Sequence, residues 1–362
     1  MYKKINISNF RGIENLEIDD LKTINLLLGK NNCGKTSILE AIYLITGISI
    51  PSLSMNINNF RNLIHSEIDD FRFIYRNLDF DNIININTVD IKNNIRELII
   101  TPDFFDKKKN IIQSDDEKIK SNNLSIDTLT ETKKVNGLKY QFKINNEKYE
   151  SKIKLEYTNN ILNPINFQQT IPKEYKEDII GNYLLPNLSN INLDKIIEKI
   201  FINKDEDKII SALKVIDQDI TNIKLGTNGM IYIDLLGINK LLPINIMGDG
   251  IRKILTLLAY IIHSKDRIIL IDEIENGLHY SSIKILWEAL IKAALENNVQ
   301  LFITSHNFEI LKYLNLVLKD REESIKNEIR SYTIIKEKDF IKSYCYNYES
   351  FNHAISQGIE IR

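Results

Sequence analysis

The sequence predicts an α/β fold: a mixed central sheet carrying a phosphate-binding loop, with an antiparallel β subdomain and a helical lobe set into the chain between the sheet's two halves. Three observations predict it. GKNNCGKT at residues 29–36 fits G-x-x-x-x-G-K-[ST] and lies between an apolar run (Ile24, Leu26, Leu27, Leu28) and a segment with helical spacing of apolar residues. RIILID, late in the chain, is an apolar strand ending in an acid and followed by a second one, Glu273. Between them, stretches of strict apolar–polar alternation are broken by Asn- and Gly-containing turns.

In chain order, the first element is a hairpin. Residues 4–9 and 15–19 alternate as half-buried strands do, and Phe10-Arg11-Gly12 turns between them. Arg11 reads as a surface charge, with contact to a nucleotide or a partner as the alternative.

The loop's composition follows from its chemistry. Gly29 and Gly34 permit backbone angles closed to other residues, so the N–H groups of Lys30, Asn31, Asn32 and Cys33 can turn inward around phosphate oxygens. The helix opening at Lys35, Thr36 and Ser37 points its positive end at the same place. Lys35 then suits the terminal phosphates and Thr36 a Mg²⁺ ion, which makes ATP with Mg²⁺ the expected ligand pair.

Next comes a turn-rich stretch at 47–54, then one or two short helices over 56–77 carrying Phe60, Leu63, Ile64, Phe71 and Ile74, and strands between 83 and 100. Residues 106–123, with Lys107–Lys109 beside Asp115–Glu117, read as a solvated loop. An antiparallel meander follows over 124–157, with breaks at Val135-Asn136-Gly137 and Asn145-Asn146-Glu147. Residues 183–215 read as helical, and Ile209, Leu213, Ile216, Ile220 and Ile223 fall on one side of an amphipathic helix of about four turns. Asn203-Lys204-Asp205-Glu206 falls short of the guanine-reading N-K-x-D pattern. The acids at 205–207 and 217–219 point apart on a helix, so GTP specificity and a second metal site are both rejected.

The last third supplies the second half of a site. Asp272 and Glu273 stand at the carboxyl end of their strand, where ligands bind in open α/β sheets. Asp272 suits the Mg²⁺ shell and Glu273 a base for the attacking water. VQLFIT at 299–304 is another buried strand, followed by Ser305 and His306, and between the two strands residues 280–294 form a helix. Gly248, Asp249 and Gly250 precede an apolar helix and make a second anion-binding helix start.

Composition sets the outer limits. With 362 residues and 43% hydrophobic content the chain can bury a core spread over more than one lobe. A formal net charge of −2 gives no global basic field for nucleic acid. Cys33 and Cys345 are too few for a disulfide framework and fit a reducing cytosol. The longest apolar run, 254–262, is well below the roughly 20 residues that span a bilayer. A cytoplasmic protein without membrane contact is expected.

These segments together resemble the ABC-type ATPase clan of SMC, RecF and OLD proteins, and in particular the small bacterial "AAA" ATP-binding proteins of OLD type. The resemblance is carried by INISNFRGIENLEI, GKNNCGKT, MGDGIRKIL where transporters have LSGGQ, LIDEIENGLH, the TSH ending at His306 and the closing YESFNHAISQGIEIR, while residues from about 50 to 240 match only in layout. It implies an ABC-type head made of an N-terminal lobe (1–50), a β meander and helical insertion (51–240) and a C-terminal lobe (241–362). It also implies a head-to-head homodimer or larger homo-oligomer sandwiching ATP. There Gly248, Asp249 and Gly250 of one head meet the phosphate held by the other, residues 275–279 line the seam, and His306 senses the γ-phosphate. Asp249 and the missing signature serine depart from the transporter pattern and shift that duty toward Arg252; Gln168 or Gln169 stands in for the Q-loop glutamine. Too little chain follows His306 for a TOPRIM nuclease domain, so the resemblance implies a slow ATPase controlling a separate effector, a nuclease or toxin, in phage defence. A RecF-like ATPase binding DNA, a transporter ATPase and a nucleotide-gated module without useful turnover are the alternatives.

Overall fold

A computed structural model describes residues 1–63, 68–104, 135–156, 166–179, 181–186, 188, 191–338, 340–359 and 361. The solvated loop expected at 106–123, the alternation around Leu124 and Ile126, and Ile64 lie outside them.

The chain opens with β1 (Tyr2–Phe10) and β2 (Ile13–Ile18), the expected hairpin, then β3 (Ile24–Leu28) and α1 (Lys35–Thr46). All five residues of β3 are buried, as a strand covered on both faces requires. A short helix α2 (Leu53–Asn59) and two 3-10 turns (Ile68–Ile74, Arg76–Leu78) lead to β4 (Ile84–Asp90), β5 (Ile95–Phe104), β6 (Val135–Ile144), β7 (Glu147–Glu156) and β8 (Asn166–Thr170). These five strands join β1 and β2 in a seven-stranded antiparallel sheet of order β2-β1-β4-β5-β6-β7-β8.

The second sheet has six strands. After β9 (Gly181–Leu184) come α3 (Leu193–Ile202), α4 (Glu206–Ile216), β10 (Ile220–Leu225), β11 (Ile231–Leu235) and β12 (Leu242–Pro243). Then follow α5 (Asp249–His263), β13 (Ile268–Ile271), α6 (Tyr280–Glu296), β14 (Gln300–Ser305), α7 (Phe308–Lys319), α8 (Glu323–Asn327), β15 (Ile329–Glu337), β16 (Phe340–Tyr346) and α9 (Tyr348–Ser356). The order β16-β15-β3-β14-β13-β9 is parallel except for the β15–β16 pair, which gives the mixed central sheet expected. Strands β10 to β12 form a small third sheet.

Alternation across the central sheet divides the core. Leu27, Ile268, Leu270 and Phe302 face α1 and the antiparallel sheet. Leu26, Ile269, Leu301 and Ile303 face the opposite layer, where Leu257, Trp287 and Leu314 of α5, α6 and α7 pack. The two sheets are tied at one buried point: the Gln300 amide accepts from the Tyr2 N–H at 2.8 Å and donates to the Tyr2 carbonyl at 2.7 Å.

Four local expectations are corrected. The helix through Ile209 and Leu213 ends at Ile216, and Ile220 and Ile223 belong to β10. Asp217 is extended and its carboxylate accepts from the Asp219 N–H at 3.0 Å, turning the chain; a bulge between Ile220 and Asn222 then lets residues three apart share the buried face of a strand, which imitates helical spacing. Residues 183 and 184, read as the start of a helical region, belong to the strand β9 because β13 pairs with them, and Gly181 at its start lies so close to Thr46 that a Cβ would sit 2.1 Å from its hydroxyl. Val135-Asn136-Gly137 opens β6 instead of breaking it; an added Cβ on Gly137 would lie 1.9 Å from the Ile153 carbonyl oxygen. Finally, Gln168 and Gln169 sit on β8 at the outer edge of the antiparallel sheet, opposite Lys154 and Ile153, which removes them as Q-loop residues.

Arg11 is buried, not a surface charge. Its guanidinium pairs at 2.6 Å with Glu40 of α1, a carboxylate 1% exposed that also accepts from Arg61 at 2.7 and 3.0 Å. Arg11 further donates to the carbonyl oxygens of Phe73 and Ile57 and to Asn58. Removing Glu40 strands two cations, one of them buried, so Glu40→Ala should cost about 3 kcal/mol of folding stability, the low end for a broken buried pair because Arg11 keeps its carbonyl acceptors. Chemical denaturation checks this, and a loss indistinguishable from that of a surface substitution would remove the network's structural role.

Candidate nucleotide site

The site is assembled at the carboxyl ends of β3, β13 and β14. Register places β14 between the other two, with Ser305 opposite Leu28 and Ile271 opposite Ile303, so the phosphate-type loop after β3 and the acids after β13 emerge on one edge. Gly34 takes φ 105° immediately before α1, a conformation that favours glycine. The helix begins at Lys35 with its first-turn N–H groups directed at the loop.

A pocket of about 250 Å³ opens there, lined by Asn31, Asn32, Gly34, Lys35, Thr36, Ser37, Arg61, Asp272 and Glu273. The expected cradle and both expected acids thus meet, though Thr36 and Asp272 are 236 residues apart. Lys35 folds its ammonium back onto the loop, donating to the carbonyl oxygens of Gly29 at 2.6 Å and Lys30 at 2.8 Å. The Thr36 hydroxyl donates to Asp272 at 3.1 Å.

Asp272 is the hub. Besides Thr36 it accepts from the Thr304 hydroxyl at 2.6 Å and from the Tyr183 phenol at 3.4 Å. Burial, and then the Asp272 charge, push the Tyr183 phenol well above its usual range, which keeps it a donor. Thr304 in turn accepts from the Glu273 N–H at 2.8 Å and so fixes the backbone of Glu273, which stands at φ 48°. A glutamate in the left-handed region costs about 1 kcal/mol, and such strain persists where neighbours over-determine it.

Other predicted residues sit beside the pocket, outside its lining. Gly29, Lys30 and Cys33 form the loop's other flank; Cys33 is buried, 3.8 Å from the Lys35 ammonium. His306 follows β14 and is held by Glu275, with Nδ1 at 3.1 Å and its backbone N–H donating to the same oxygen at 2.9 Å. Gly248, Asp249 and Gly250 start α5, where Asp249, Arg252 and Lys253 line a separate pocket of about 350 Å³ with Asn276 and Gly277. The Lys253 ammonium donates to the Asn276 carbonyl; burial pushes it down to about 8 against the opposing pull of Glu275 and Glu273.

Sequence reasoning missed Arg61, Glu40 and Tyr183. Arg61 donates to the Ser37 hydroxyl at 3.3 Å while Glu40 anchors it, which brings a guanidinium to the pocket wall. None carries a local motif. Glu40, an acid on the otherwise buried face of α1, was the one signal that a cation had to arrive from elsewhere.

Comparison with known proteins places this geometry. A family model described as "AAA domain, putative AbiEii toxin, Type IV TA system" matches residues 24–312, which include every residue lining the pocket. The chain belongs to this AAA-domain family. A Helicobacter pylori protein named ATP/GTP phosphatase is 25% identical over 342 residues, covering 89% of this chain and 90% of that one. The DNA replication and repair protein RecF of Nitrosococcus oceani is 49% identical over 41 residues, 11% of each chain. Among solved structures, an SMC head bound to the C-terminal winged-helix domain of ScpA aligns over 96% of this family member and 97% of that chain, at 11% identity and a TM-score of 0.49. No helix among the described residues is long and apolar enough to cross a membrane.

Proposed function

We propose that this AAA-domain protein is an ATPase, converting ATP and water to ADP and phosphate, and that nucleotide binding closes it into a homodimer controlling a separate effector. One observation carries the first part: Lys35, Thr36, Asp272 and Glu273, from opposite ends of the chain, line a single pocket with an arginine beside it. The family and the name of the Helicobacter relative support the same chemistry.

The residues fit a Mg²⁺ ion. Thr36 and Asp272 would hold it, and among the described residues no cluster of three or more metal-binding side chains competes, in keeping with an ion that takes its other ligands from phosphates and water. Bound there, the ion would offset the negative charge of the phosphate oxygens. The chain's own part is then clear. Lys35 leaves the Gly29 and Lys30 carbonyls for the terminal phosphates, Arg61 adds charge from the side, and Glu273 takes the proton of the attacking water as the bond to the γ-phosphorus forms and ADP departs. Glu275 sets the orientation of His306 toward the γ-phosphate.

Dimer closure is supported by what the pocket omits. Gly248, Asp249 and Gly250 start a helix beside a separate pocket, outside the lining of their own chain's phosphate-loop pocket, which suits contact with phosphate held by a second copy. The family description, which names a type IV toxin–antitoxin system, is in keeping with a defence setting. The local match to RecF favours a second reading, an ATPase engaged by DNA.

The test is phosphate release by the purified chain with ATP and Mg²⁺, with and without duplex DNA, alongside solution mass with and without ATP. Phosphate release with an ATP-dependent doubling of mass is expected. Absence of both release and nucleotide binding would overturn the proposal, and strong stimulation by DNA that falls with salt would transfer it to the second reading.

A further inference from the structure

The turn that carries Glu273 is held from two sides. Residues 273–276 close on themselves, the Asn276 N–H donating to the Glu273 carbonyl at 3.0 Å. Strand β14 holds one end: the Glu273 N–H donates to the Thr304 hydroxyl at 2.8 Å and the Ile274 N–H to the Thr304 carbonyl at 3.2 Å. Helix α5 holds the other. There the Lys253 ammonium donates to the Asn276 carbonyl.

This second tie falls where the backbone has least to rest on. Asn276 and Gly277 are exposed, and Gly277 stands at φ 73°, a conformation that glycine enters and leaves at little cost. The Leu278 N–H donates to the Glu275 carbonyl at 3.0 Å, a bond within the same loop that moves with it. Lys253, by contrast, is rooted in a packed helix. It is 9% exposed, and Ile254, Leu255, Leu257 and Leu258 beside it are buried in the core.

The tie is kept at a cost to the fold. Glu275 and Glu273 pull on the ammonium through space, yet burial outweighs them and holds its pKa down to about 8, below the ordinary 10.5 of a lysine. At neutral pH the charged form therefore opposes folding. A methionine would fill the same apolar surface without that penalty, but it could not hold the Asn276 carbonyl.

We infer that Lys253 is a positioning residue for hydrolysis: by fixing the Asn276 carbonyl it sets the far end of the turn, and with it the direction of the Glu273 side chain. Because the Asn276 N–H is bonded to the Glu273 carbonyl, a backbone that swings at Asn276 pulls on Glu273 against the φ of 48° that Thr304 maintains. The inference rests on the ATPase reading above and gives α5 a task within its own chain, separate from any contact of its first residues with a second copy. Lys253 is outside the lining of the phosphate-loop pocket, so its loss should spare nucleotide binding.

The experiment sets Lys253→Met and Lys253→Arg beside the unaltered full chain. Measured are kcat and KM for ATP with Mg²⁺, and thermal unfolding without nucleotide. A reacting group misplaced by about 1 Å costs about 100-fold, so Lys253→Met should lower kcat by at least about tenfold, with KM within about threefold. It should melt at or above the temperature of the unaltered chain, since a buried charge has been removed. Lys253→Arg, which keeps a charged donor, should recover most of the rate. A smaller loss in Lys253→Met, a loss carried by KM, equal losses in both variants, or a loss accompanied by a lowered melting temperature each overturn the inference. An unaltered chain that releases no phosphate overturns the ATPase reading and this inference with it, an outcome distinct from variants that match an active parent.

Discussion

Glu273→Gln should lower the rate of ATP hydrolysis by about 10²- to 10⁴-fold, the range set by a lost general base, while leaving nucleotide affinity within a few fold of the unaltered chain. The side chain lines the pocket beside Asp272, half-buried, and its backbone is held by the Thr304 hydroxyl at 2.8 Å. An amide fits the same space and keeps the φ of 48° that Thr304 imposes, so the substitution removes proton affinity and little else. The metal-side residues stay intact because Asp272 is bound by Thr36 and Thr304 independently of Glu273. With binding preserved and hydrolysis stopped, the ATP-loaded form accumulates, and the solution mass with ATP should rise to that of a dimer and stay there. Glu273→Asp, which keeps the carboxylate but retracts it, should recover part of the rate. The measurement is single-turnover phosphate release beside solution mass. Unchanged turnover in Glu273→Gln would take the base role from this residue.

The parts of this site that could be read from the sequence were those encoded by contiguous residues. GKNNCGKT specifies a loop because its glycines and its lysine act within a few residues of one another, and RIILID followed by Glu273 specifies a strand end by the same local logic. Even their convergence was legible, since open α/β sheets gather ligands at strand ends. What escaped depended on partners remote in the chain. Tyr183 reaches Asp272 only because β9 docks on β13, and a four-residue strand with no alternation of its own gives no period to read. Arg11 and Arg61 owe their positions to Glu40, and an arginine's partner cannot be found from its neighbours in sequence. The misread helix after Ile216 failed for a different reason: the bulge in β10 placed Ile220 and Ile223 on one face at a spacing that belongs to helices. The β character of residues 84–104 and 135–144 was plain because the strands there largely keep a two-residue alternation.

Lys35→Ala should weaken ATP binding by at least about 100-fold and with it abolish measurable turnover. The ammonium is the one cation rooted at the floor of the loop, with 8% of its surface exposed, and it now spends its donors on the carbonyl oxygens of Gly29 and Lys30. Those bonds hold it in readiness. A charge-assisted hydrogen bond to phosphate contributes about 1.5–3 kcal/mol, so loss of two such bonds exceeds the 2.7 kcal/mol or so that corresponds to 100-fold in affinity. Lys30 is exposed and its carbonyl can turn to water, so the fold should survive; Lys35→Met, which keeps the buried stem, guards against collapse of the loop. Thermal unfolding separates the two effects. Ligand stabilises the native state by RT ln(1 + [L]/Kd), about 2.7 kcal/mol at 100 times Kd, so the unaltered chain should melt higher with ATP and Mg²⁺. Both variants should melt near the unaltered, nucleotide-free chain and show no such rise. A variant that melts normally and still gains the full shift with ATP would mean that phosphate is held elsewhere, and the pocket joining Lys35 to Asp272 and Glu273 would then have some other use.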